Sequence, residues 1–112
     1  GHHPPVLLRT SGTVEFLEEG GLILGAFPDA VYDEGRDHLK RGDTLLFYTD
    51  GAVEAMDRAG DEYGRDRLVE ALKEVCHLPA RKIREELVSV IQEFAGRNRL
   101  GDDLTFVVVK KI

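Results

Sequence analysis

Two acidic turns border the most apolar runs of the chain, Leu45-Leu46-Phe47-Tyr48-Thr49-Asp50-Gly51 and Gly101-Asp102-Asp103-Leu104-Thr105-Phe106-Val107-Val108-Val109. Each run reads as a buried strand carrying acid at one end. If the two lie antiparallel and side by side, the end of the first meets the start of the second, and Asp50 and Asp102 converge on one sheet edge. Two carboxylates roughly 4 Å apart repel by about 4 kcal/mol at an effective dielectric near 20, so such a pair must protonate, separate or hold a cation. Oxygen-only donors point to magnesium or manganese, with calcium a poorer fit. Gly51 lets the backbone turn tightly after the acid and leaves its carbonyl accessible, so main chain and carboxylate can both face a hydrated ion. Plainer readings compete: Asp50 as the cap of a helix beginning near Ala52, and Asp102 and Asp103 as solvated turn acids. Adjacent acids at a strand end cannot both point the same way, so only one of Asp102 and Asp103 is expected to be a ligand. Thr105 stands close enough along the chain to hydrogen-bond a carboxylate oxygen and fix its orientation.

The remaining candidates carry less chemistry. His2 and His3 diverge if they lie on a strand, have no spaced partner, and also read as the remnant of a purification tag. His38 and His77 read as surface or helix-end residues. Arg41-Gly42-Asp43 spells an adhesion tripeptide, but a turn leading into a strand accounts for it. No serine or cysteine elbow is present, since Ser11 lies in a turn and Ser89 in a helix. Cys76 is the single cysteine, which excludes an internal disulfide and suits a packed thiol in a reducing compartment.

Bulk properties narrow the function classes. The 112 residues are 42% hydrophobic and 32% charged, enough for one small domain or part of a larger one. A net charge of -6 and a pI near 5.2 argue against nucleic acid or an anionic membrane as the main partner. No apolar run approaches bilayer length and no signal peptide stands out, so a cytoplasmic location without membrane insertion is expected.

The elements that must position the acids follow from periodicity and turns. Val6 to Leu8, Thr13 to Leu17 and Leu22 to Leu24 read as short antiparallel strands separated by glycine turns. Tyr32 to Leu39 reads as an edge or exposed strand. Thr44 to Thr49 is apolar on both faces and reads as central, as does the β-branched run Leu104 to Val109. Between them, Val53 and Met56 give one short helical face, followed by a polar loop from Asp57 to Glu62. Leu68, Ala71, Leu72 and Val75 then follow helical spacing, and so do Ile83, Leu87, Val90, Ile91 and Phe94, with Pro79 at the first helical position and Gly96 as the stop. Lys110 and Lys111 read as solubilising charges. The pattern predicts an α+β fold, a mainly antiparallel sheet with a helix pair before its last strand. These strands alone cannot cover both faces of a central one, which points to further sheet elsewhere. The helix pair from Asp66 to Phe94 could also pair with a second copy to form a homodimer.

The order of motifs resembles one known family. Gly1-His2-His3-Pro4-Pro5 is similar to the Gly-His-x-Pro-Pro segment of bacterial metal-dependent serine/threonine phosphatases of the stage II sporulation protein E and sigma-regulation type, a branch of the PP2C-like family. Gly21 to Gly25 resembles their Gly-x-x-Leu-Gly element, with Ile23 where proline is frequent. Leu39 to Gly51 resembles Leu-x-x-Gly-Asp-x-Leu-Leu-x-Tyr-Thr-Asp-Gly. Tyr63-Gly64-Arg65-Asp66-Arg67-Leu68 resembles Phe-Gly-x-x-Arg-Leu, and Asp102-Asp103-Leu104-Thr105 the terminal Asp-Asp-x-Thr.

The resemblance implies a layered β-sandwich flanked by helices, of which residues 1–112 form the C-terminal portion. The family's earlier Gly-Asp-Val-x-Gly-His-Gly-like segment, whose aspartate bridges the metals, has no counterpart here. It further implies that Asp50 and Asp102 ligate a pair of manganese or magnesium ions, with Gly51 alongside and Asp103 as runner-up. The implied reaction is hydrolysis of phosphoserine or phosphothreonine by metal-activated water, on a small regulatory partner such as a phosphorylated anti-sigma-factor antagonist. Lacking the bridging aspartate, this chain alone is expected to bind metal poorly and to turn over slowly or not at all. A second reading is a non-catalytic interaction or regulatory module that keeps the phosphatase scaffold.

Overall fold

The computed structural model describes residues 3–20, 27–96 and 103–112. Four strands, β1 (Val6–Leu8), β2 (Val14–Phe16), β3 (Thr44–Tyr48) and β4 (Phe106–Lys110), form one sheet in the order β2-β1-β3-β4. All pairings are antiparallel, with Val6 opposite Leu46 and Tyr48 opposite Phe106. The sheet therefore stands as the sequence predicts in its mainly antiparallel character. Three helices complete the fold: α1 (Asp50–Val53), α2 (Gly64–Val75) and α3 (Ala80–Ala95).

Strand alternation decides the core. Val6, Leu8, Leu46, Tyr48 and Phe106 face one side and are buried with Leu68, Leu72, Ile83, Leu87 and Ile91 from α2 and α3. Those helical positions repeat every three or four residues, so each helix buries a single stripe. Gly96, at φ 61°, caps α3 and donates its N–H to Gln92 O, a left-handed stop that favours glycine.

Several local expectations shift. Pro79 lies just outside α3 as its extended N-cap residue, since its fixed φ suits the approach as well as the first turn. Residues 32–39 carry no strand; Asp37 and the His38 carbonyl are instead held by Arg9, at 2.7 and 2.6 Å. β4 is an edge strand of the described sheet rather than a central one. Its β-branched run reported strand propensity but neither neighbours nor burial on both faces, and Val107 and Val109 are 53% and 40% exposed on the face away from α2 and α3. The Leu22 to Leu24 strand lies outside the described residues.

The turn at residues 41–43 is structural. Gly42 has φ 87°, and a Cβ there would stand 2.5 Å from the Thr10 methyl. Asp43 is 1% exposed, accepts from the N–H groups of Lys40 and Thr10 at 2.8 and 3.0 Å, and pairs with Arg9 at 3.0 Å. Its carboxyl is held below the usual range, chiefly by the Lys40 N–H, then by Arg9 and Thr10. A buried carboxylate so engaged cannot present an adhesion signal. Among the described residues no helix is long and apolar enough to cross a membrane.

Candidate metal centre

β3 hands its apolar run to α1 at Asp50, the first helical residue. Thr49 before it is extended, with φ -95° and ψ 167°, and no side chain caps α1, so Asp50 is not used as the cap. Its carboxylate stands at the sheet edge with 54% of the side chain exposed. The antiparallel register then delivers other segments to that edge. β1 runs beside β3, so the residues before Val6 arrive next to Tyr48, and His3 Nε2 lies 2.9 Å from Asp50 Oδ1. The His3 ring stacks on Tyr48, with centroids 5.7 Å apart and 25° between planes, which sets the direction of the imidazole. The Tyr48 hydroxyl, buried beneath, has its pKa raised by loss of solvent.

Glu54 is the third donor. It follows α1 and donates its N–H to Asp50 O at 2.9 Å, the bond of one helical turn, which stacks the two acids on one face. Nitrogen of His3 and carboxylate oxygens of Asp50 and Glu54 all lie within 4.8 Å of one another. One imidazole with two carboxylates is a donor set that suits a divalent first-row ion, so the residues present fit a metal. They are exposed enough to admit one and to leave room for water.

β4 brings the terminal acidic segment to the same edge. Thr49 N–H donates to Thr105 O at 3.2 Å, and the Thr49 hydroxyl donates to Asp103 O at 2.7 Å. Asp103 thus begins β4's approach beside Thr49, the residue before Asp50, and Asp102 lies outside the described residues. The Thr49 hydroxyl thus bonds the backbone of this segment rather than a carboxylate. Glu54 is not expected from sequence, and His3, discounted there for want of a spaced partner, belongs to the cluster. The Glu54 signal was available, an acid four residues after Asp50 in a short helix, whereas that of His3 was not, because its partner belongs to another strand.

The polar loop after Glu54 is a tight hairpin. Met56 bridges Glu62, and Asp57 Oδ1 accepts from the N–H groups of Ala59 and Asp61, both at 2.9 Å. Tyr63 follows, buried edge-on against Phe94 at 5.1 Å, its hydroxyl donating to Arg67 O at 3.3 Å. The phenol in place of phenylalanine thereby finds a partner.

A family model described as Stage II sporulation protein E (SpoIIE) matches residues 1–111. The chain belongs to the SpoIIE family. Protein IcfG of Synechocystis sp. is 28% identical over 113 residues, covering 97% of this chain and 17% of IcfG. Phosphoserine phosphatase RsbU of Bacillus subtilis is 27% identical over 116 residues, covering 99% of this chain and 33% of RsbU. This SpoIIE-family chain thus spans a third or less of the length of these curated relatives. The solved SiaA-PP2C domain of Pseudomonas aeruginosa matches with a TM-score of 0.78 at 19% identity, over 98% of this chain and 44% of that one. The SpoIIE-family chain therefore has a PP2C-like fold with a mixed α+β architecture.

Proposed function

We infer that this chain is the C-terminal portion of a protein serine/threonine phosphatase domain that hydrolyses phosphoserine or phosphothreonine on a small regulatory protein, such as a phosphorylated anti-sigma-factor antagonist. The observation that carries the reading is the meeting of His3, Asp50 and Glu54 at one sheet edge, within 4.8 Å of one another. The arrival of Asp103 beside Thr49 supports it, and RsbU, a relative, is a phosphoserine phosphatase. Asp50 and Asp102 would hold manganese or magnesium, two ions in the whole domain, with the Gly51 carbonyl and Asp103 close by. An imidazole at His3 favours manganese over magnesium, which prefers oxygen and keeps its waters.

A divalent ion held there supplies an acidified water and offsets the charge of a phosphoryl group. The chain's own residues do the rest. Asp50 presents a carboxylate at the mouth of the edge, Tyr48 keeps the His3 ring turned toward it, and the α1 turn sets Glu54 above it. The part of the outer face formed by β3 and β4, with Phe47, Val107 and Val109 exposed, suits a second layer from the remainder of a sandwich.

Manganese titration followed by paramagnetic broadening of amide signals tests the reading even where binding is weak. Broadening should centre on His3, Asp50, Glu54 and Asp103 and be abolished in Asp50→Asn, with slow hydrolysis of a phosphoserine peptide lost in parallel. A wild-type chain that shows no localised broadening would leave the non-catalytic interaction module as the better account.

A further inference from the structure

Thr49 stands where β3 stops being a strand, and its backbone shows the consequence. In an antiparallel ladder a hydrogen-bonded pair exchanges two bonds. Thr49 N–H makes one of them, to Thr105 O at 3.2 Å. The reciprocal bond, from Thr105 N–H to the Thr49 carbonyl, is not made, because that carbonyl has turned into α1 and accepts from Ala52 N–H at 3.0 Å. The Thr105 N–H is instead taken by the Thr49 hydroxyl at 3.1 Å. The same hydroxyl donates a hydrogen bond to the Asp103 carbonyl at 2.7 Å. A side chain has filled a ladder position that the start of a helix vacated.

We propose that Thr49 is a positioning residue for the candidate metal centre, its hydroxyl fastening the acidic segment at Asp103 to the edge that carries Asp50. The role follows from connectivity. Asp50 must begin a helix to bring Glu54 above it, and beginning that helix withdraws the carbonyl that would otherwise hold β4 at this level. Only a residue with a β-hydroxyl can both accept from Thr105 and donate to Asp103; valine, of the same shape, can do neither. The proposal rests on the metal reading only for its effect on cation binding. The fastening itself is independent of it.

Thr49→Val and Thr49→Ser, in the chain as it stands, separate the two. In Thr49→Val the Thr105 amide should exchange with deuterium at least about tenfold faster than in wild type, as expected of a donor deprived of its acceptor. Manganese affinity, read from the broadening titration, should fall by about 10- to 100-fold, the usual effect of losing a group that orients a ligand. Thr49→Ser should restore both. If Thr49→Val leaves Thr105 exchange and manganese affinity at wild-type values, or if Thr49→Ser is as impaired as Thr49→Val, the proposal is overturned. A wild-type chain that takes up no manganese, with Thr105 still deprotected in Thr49→Val and protected in Thr49→Ser, overturns the metal reading and supports Thr49 as the fastening residue.

Discussion

Asp43 shows how much a single side chain can be asked to hold. It joins the end of β1, through Thr10 and Arg9, to the turn that starts β3, and Arg9 in turn reaches Glu15, Asp37 and the His38 carbonyl. Because its partners favour the ionised form, its folded pKa lies below the ordinary 3.8. Its contribution is therefore present above that ordinary value and is lost as pH falls through the lower folded one. Asp43→Asn should lower the melting temperature at pH 7 by several degrees, and the difference from wild type should shrink as pH drops below about 4. Thermal unfolding at pH 7 and pH 3 checks this. The turn was legible from Arg41-Gly42-Asp43, but the burial of Asp43 was not, because Arg9 and Thr10 belong to another strand and no local spacing announces them. His3 lacked a spaced partner in sequence for the same reason, since Asp50 follows another strand. Asp50 was readable because an apolar run, an acid and a glycine coincide at a strand's end.

The elements themselves were more transparent than their neighbours. Each helix wrote its buried stripe directly into sequence, with Leu68 and Leu72 in α2 and Ile83, Leu87 and Ile91 in α3. Lys110 was less so. Taken from sequence as a solubilising charge, it faces the helices from β4, and its Nζ donates to the carbonyls of Cys76 and Leu78 at 2.7 and 2.8 Å. Those groups close the C-terminal end of α2, where unpaired carbonyls gather negative charge. Lys110→Met keeps the aliphatic stem and removes both bonds. It should cost about 2 kcal/mol, read from urea denaturation, with faster amide exchange in the last turn of α2. Loss confined to β4, with α2 exchange unchanged, would show that the cap matters little.

At the scale of the whole molecule the sheet is two-faced. α2 and α3 cover one side, while Phe47, Val107 and Val109 meet across β3 and β4 on the other. An exposed apolar patch of this kind favours association with another apolar surface. Sedimentation should show concentration-dependent self-association of the chain. Val107→Thr with Val109→Thr should reduce it while leaving the melting temperature within a few degrees of wild type, since both side chains already meet water and threonine retains strand propensity. Unchanged association in the double variant would place the contact elsewhere.

The strand order also has a temporal meaning. β3 occupies the middle of the sheet, yet its partner β4 follows both helices in sequence. On a ribosome, β3 would leave the exit tunnel with β1 to zip against and its other flank bare until nearly sixty further residues had been translated. The Asp103 stretch can therefore reach the acidic edge only near the close of this segment's synthesis, and a nascent chain halted before β4 would carry His3, Asp50 and Glu54 without it.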